Sequence, residues 1–317
     1  MKPRLLPDVR FLPSESGLSV RSPGHEASLH APGLYPWFER VCPFLDGEHS
    51  VVDLVEKLSP MAAQRVLGLV EFLLREGFAR DAQYDVPHTL SPSTRSLHAA
   101  VIEFLAHEAD SPERRFQSYR ECAPVAVGSG RLLTATALAL LATGVEHVRV
   151  HVVAANELGE TATDRDSLLE CAKPLLHRDM AARLEFAGGE PRDLPQDAGV
   201  LLYASDRPDR ARATRLRDLA ARRGVRHGEA VVSADEVVIS QVAVPTGSAT
   251  RAPRPAGTSS SSSRPTSRYF GGPTAALAAN QLCLSLLQHA AGLTALADEP
   301  RRDAVVLDLR TTNFVAV

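Results

Sequence analysis

Pro124-Val125-Ala126-Val127-Gly128-Ser129-Gly130-Arg131-Leu132-Leu133 is the stretch on which the fold turns. The apolar run to Val127 has strand character, the glycine turn breaks it, and Leu132 to Thr143 continues at helical spacing. Val148 to Val153 is then a second strand. A strand, a glycine turn, a helix and a strand in this order are the start of a nucleotide-binding βαβ fold, in which N–H groups at the helix start face a phosphate. Two parts of that pattern are missing. Leu133 stands where the third glycine belongs, and Ala154-Ala155-Asn156 follows the second strand where Asp or Glu would hold a ribose. Gly128 and Gly130 therefore read as a vestigial turn, and no cofactor is expected.

Downstream the alternation continues. A helix around Asp166 to His177, a buried strand Gly199 to Ala204 and a helix Arg210 to Arg223 ended by Gly224 precede strands at Arg226 to Val232 and Val237 to Val244. This spacing predicts an α/β domain over 121–317, with a mainly parallel sheet and crossover helices. The serine-rich stretch 246–267 has almost no apolar content and is expected to be a disordered loop. Gly271-Gly272-Pro273 opens a long apolar helix, whose segment Ala275 to Ala291 is either core or the face of a homodimer. A last strand, Val305 to Leu309, and a polar tail close the chain.

Upstream, residues 1–82 form a separate unit. Val9 to Leu12, Leu18 to Val20 and Ala27 to His30 are short strands separated by turn residues. Leu34, Trp37, Phe38, Val41 and Leu45 then mark a first helix. Ser50 with Asp53 caps a second, and Ser59-Pro60 starts a third that Gly77 ends, with Val66, Leu69, Val70 and Leu73 as its inner stripe. Three short strands followed by three helices are the order of a winged helix-turn-helix. Residues 83–120 read as a linker with a connecting helix marked by Leu97, Val101, Phe104 and Leu105, broken at Ser111-Pro112 and Arg114-Arg115.

Bulk properties narrow the function. A net charge of -3 lacks the basic field that gathers nucleic acid, and residues 1–80 hold nine Lys and Arg against ten Asp and Glu, the wrong balance for reading a duplex. No apolar run reaches the length of a membrane span and no signal segment is evident, so a cytoplasmic protein is expected. Cys42, Cys122, Cys171 and Cys283 are far apart and read as reduced, mostly buried thiols. His147, Arg149 and His151 share one strand face with no carboxylate or cysteine close by to complete a metal set, so no metal is expected. Asp206 is either a functional group at the carboxyl edge of the sheet or the cap of the helix after Arg207-Pro208. Elbow, P-loop and metalloprotease motifs are absent, and no residue is assigned a catalytic role.

The first unit suits peptide capture. An extended segment would pair with the strand edge Glu26, Ala27, Ser28, Leu29 and His30, and lay side chains beside the third helix. Arg65, Leu69, Phe72 and Glu76 make a stripe there with an apolar centre and charged ends.

Gly17-Leu18-Ser19-Val20-Arg21, Leu34-Tyr35-Pro36-Trp37 and Leu45-Asp46-Gly47-Glu48-His49-Ser50-Val51 resemble the PqqD-like leader-recognition element of ribosomally made peptide natural products. Val125 to Val153, Asp197 to Asp206 and Gly272 to Gln281 resemble the ThiF-like half of the ocin-ThiF-like proteins. The resemblance implies a non-catalytic protein that binds the leader of a precursor peptide and delivers it to a YcaO cyclodehydratase, which forms thiazolines and oxazolines in thiopeptide-type pathways. It places the leader between the strand Glu26 to His30 and the third helix. An adenylating ThiF relative, the alternative reading, would carry a fuller glycine turn, an acidic residue after the second strand and paired cysteines.

Overall fold

The computed structural model describes residues 1–31, 33–153, 165–245, 269–293 and 304–316. The chain divides into two compact units, one of residues 1–91 and 99–114, the other of 92–98 and 115–317. None of the described helices is long and apolar enough to cross a membrane.

In the first unit, β1 (Pro3–Leu5) pairs antiparallel with β5 (Ala79–Asp81), while β2 (Arg10–Ser14), β3 (Gly17–Ser22) and β4 (His25–His30) form an antiparallel meander in that order. Its helices are α1 (Leu34–Val41), followed by a 3-10 turn at Cys42–Phe44, α2 (Val51–Val55) and α3 (Pro60–Arg75). The helix starts follow the local chemistry. Ser50 and Asp53 form a reciprocal capping box, and Ser59 Oγ accepts the Ala62 N–H with Pro60 in the first turn. Alternation along β3 turns Leu18 and Val20 into the core, where they meet Leu34 and Phe38 of α1 and Val66, Leu69, Val70, Phe72 and Leu73 of α3. Phe11 stacks on Phe38 with ring centroids 3.9 Å apart. The pair β1 and β5 was not anticipated, because three-residue strands carry too little periodicity to be read.

The connecting segment holds more helix than the sequence suggested. Its single anticipated helix is divided into α4 (Pro92–Leu97) and α5 (Ala99–Glu108), and Pro112 opens α6 (Pro112–Arg120) where a break was expected. Proline in a first turn removes a donor that has no helical partner anyway, so Ser111-Pro112 starts a helix.

In the second unit, β6 (Pro124–Ser129), α7 (Gly130–Ala142), β7 (His147–Val152), α8 (Arg165–Arg178), β8 (Arg183–Gly188), β9 (Val200–Ser205), α9 (Arg210–Arg223) and β10 (Arg226–Ser233) alternate. They are followed by β11 (Glu236–Ser240), α10 (Gly272–Ala290), β12 (Ala304–Asp308) and β13 (Phe314–Ala316). The sheet order is β13-β12-β11-β10-β9-β6-β7-β8. Pairing is parallel from β8 through β10 and antiparallel from β10 through β13. All six residues of β6 and all six of β9 are buried, as the centre of a two-faced sheet requires. The expected polar tail is in fact partly strand, since Phe314 to Ala316 pairs with β12. The serine-rich stretch 246–267 and Ala154-Ala155-Asn156 lie outside the described residues.

Candidate functional site

The strand order reverses between β6 and β9, so the ends of these two strands form the switch point at which doubly wound sheets hold their ligands. The glycine turn lies there. Gly128 and Gly130 both have positive φ, at 156° and 82°, and a Cβ on Gly128 would overlap the Ala204 carbonyl of β9 while one on Gly130 would overlap the Asp206 carboxylate. Close packing of the chain against itself therefore requires both glycines.

Asp206 accepts hydrogen bonds from the N–H groups of Arg131 (2.9 Å) and Leu132 (2.8 Å), at the start of α7. A carboxylate from the neighbouring strand end thus takes the helix N-terminal donors that a phosphate would use. Burial pushes this carboxyl above its ordinary range, against the two N–H bonds that hold it down. The expected cap of the following helix is a different residue, because Asp209 accepts the Arg212 N–H at 2.9 Å and starts α9. Beside the turn, the Ser129 and Ser205 hydroxyls are 3.1 Å apart, and Arg131 donates to the Phe270 carbonyl at 3.3 Å.

The second candidate is the edge of the meander. Among the described residues β4 pairs only with β3, so its outer edge is open. Glu26, Ser28 and His30 point outward and are exposed, whereas Ala27 and Leu29 are half-buried against the core. The start of the strand is anchored to the end of α3: the His25 ring lies 5.0 Å from that of Phe78, and its Nε2 is 3.7 Å from Glu76. Glu26 is held by Arg21 at 2.8 Å and His30 by the Ser16 hydroxyl at 2.9 Å.

The stripe on α3 divides. Arg65 is exposed and Glu76 half-buried, but Leu69 and Phe72 are only 1% and 4% exposed and belong to the domain core. At about 100° per residue the four lie within about 60° of one another, so the stripe keeps to one face, and its middle is the part that packs into the core. Phe72 meets Phe78 with centroids 6.3 Å apart. These two apolar residues support the strip next to β4 from beneath and do not line it.

On β7, strand register brings together what sequence distance concealed. His147 lies 3.0 Å from Glu185 of β8, and Arg149 reaches Glu185 at 3.4 Å and Asp197 at 2.7 Å. Carboxylates therefore flank this face, contrary to the reading from sequence, and they act as ion-pair partners. No group of three or more His, Cys, Asp or Glu among the described residues is arranged to hold a metal ion. Cys122 and Cys283 are buried, and burial pushes the Cys122 thiol up to about 12, while Cys171 is exposed.

No family model and no curated protein matches the chain. Solved structures do. Escherichia coli MccB is 13% identical over 100% of this chain and 94% of its own, with a TM-score of 0.61. MccB with AMPCPP and selenomethionine-labelled MccA is 14% identical over 100% and 96%, with a TM-score of 0.62. PaaA is 15% identical over 97% of each chain, with a TM-score of 0.58. At this identity the likeness establishes a shared fold and nothing beyond it.

Proposed function

We propose that this chain is a leader-binding protein of peptide natural-product biosynthesis, acting through the open edge of β4. The first unit is read as a winged-helix recognition element, and the ThiF-like body as a non-catalytic platform for a YcaO cyclodehydratase that forms thiazolines and oxazolines. The observation that carries the reading is the pairing of β4 on one side only, with Glu26, Ser28 and His30 exposed along it. An added strand gains backbone hydrogen bonds regardless of sequence, and the strip beside α3, bordered by Arg65 and Glu76, supplies selectivity. Structures of MccB, described as a microcin C7 biosynthetic enzyme, contain the peptide MccA, which supports peptide handling on this fold.

The alternative is an ATP-dependent adenylating enzyme acting on a peptide carboxylate. MccB has been crystallised with ATP, which favours this alternative, and the Asp206 carboxylate on the α7 donors weighs against it. Titration calorimetry with millimolar MgATP separates the two. The expected result is no binding heat and no leader-dependent pyrophosphate exchange; saturable ATP binding with exchange would establish the adenylating function instead.

A further inference from the structure

We infer that α9 forms one wall of a second binding site, a cleft in the ThiF-like unit that takes an acidic peptide segment with an apolar side chain between its carboxylates. The charge distribution first marks it out. Residues 207–226 hold eight arginines and two aspartates, in a chain of net charge -3. Most arginines of the helix are used internally. Arg212 and Arg215 bind Glu190 at 3.2 and 2.8 Å, Arg217 binds Glu229 at 2.6 Å, and Arg223 reaches Asp193 at 3.5 Å.

Arg192 and Arg222 differ: both are exposed, and neither pairs with a carboxylate among the described residues. Both line the same cleft of about 490 Å³ together with the half-buried Pro191, while Leu216 and Leu219 beneath it are 1% and 5% exposed and belong to the core. Two uncommitted guanidinium groups in one cleft with the half-buried Pro191 match carboxylates separated by an apolar residue. Glu190 and Asp218 share the lining. They disfavour a compact polyanion such as a polyphosphate, which would meet them together with the arginines. An extended peptide presents its carboxylates singly and can direct each to one arginine.

Fluorescence anisotropy of the full chain with a fluorescein-labelled synthetic peptide of Glu and Leu residues tests the site. Saturable binding is expected, with a Lys and Leu counterpart binding far more weakly. Arg192→Glu combined with Arg222→Glu is expected to weaken binding about tenfold or more, and the corresponding double Gln variant by less. The melting temperature should stay unchanged, because neither arginine holds a partner within the fold. Absence of saturable binding, equal affinity in the double Glu variant, or displacement by tripolyphosphate as effective as by unlabelled peptide would overturn the assignment.

Discussion

Leader affinity is expected to fall by about tenfold or more when one of Ala27 and Ser28 is replaced by proline, with the melting temperature nearly unchanged. Along an edge strand, successive N–H groups point alternately into the sheet and away from it. Proline at the outward position deletes a donor to the added strand and leaves the β3 ladder whole; at the inward position it breaks that ladder. Loss of one backbone hydrogen bond and of the ring-free approach it needs is worth about 1–2 kcal/mol, and about 1.4 kcal/mol is tenfold. The two variants, Ala27→Pro and Ser28→Pro, should therefore behave oppositely, one binding-deficient and folded, the other destabilised. Anisotropy with the labelled leader and a thermal melt of each variant measure both. Two folded variants with wild-type affinity would exclude strand addition at β4.

The second large effect concerns stability. His98, Arg120 and Asp179 are 7%, 3% and 7% exposed and form one network: Arg120 binds the Asp179 carboxylate through 2.6 and 3.0 Å hydrogen bonds, and His98 Nε2 lies 3.0 Å from it. Arg120 also donates to the Gly144 carbonyl at 3.0 Å. Arg120, Gly144 and Asp179 all precede strands of the parallel sheet, β6, β7 and β8, at the edge opposite the glycine turn. The network joins these three chain entries and has no part in the switch point. Asp179→Ala leaves the buried guanidinium with only the half-exposed Glu146 carboxylate, 3.2 Å from its Nε, and a cost of about 3 kcal/mol is expected.

The pH dependence follows from the same residues. Burial works to raise the Asp179 carboxyl, but the Arg120 and His98 hydrogen bonds and the Arg120 charge outweigh it and hold it at about 2. This contribution is fully present above the unfolded value near 3.8 and is lost as pH falls toward about 2. His98 is lowered from 6.5 chiefly by burial, with Arg120 and Arg178 adding to the effect against Asp179. Its protonation favours the unfolded chain, so its contribution is lost as pH falls below 6.5. Melting curves of wild type and Asp179→Asn across this range should converge toward acid pH. Parallel curves with a constant offset would contradict the linkage.

Physical scale explains what could be read from sequence. The βαβ alternation and the capped helices were legible because their signals lie within a few residues, as in Ser50 with Asp53 or the run from Arg210 to Gly224. Strand β8 is harder to read: Leu184 and Phe186 alternate with Arg183 and Glu185, but the pattern lasts only four residues before Ala187-Gly188. Long-range polar contacts were invisible. Asp206 meets Arg131 and Leu132 about 75 positions away, and Arg120 meets Asp179 across 59. The α3 stripe differs for a related reason: residue type alone does not tell a groove wall from a core wall, and long-range packing in the domain core, including Phe72 against Phe78, makes Leu69 and Phe72 core.

Hydrogen–deuterium exchange of the full chain with and without the cognate leader tests the peptide-binding claim most directly. Leader addition is predicted to slow amide exchange across Glu26 to His30 and to leave Gly128 to Leu133 unchanged. Unaltered exchange over Glu26 to His30 at saturating leader would contradict the account.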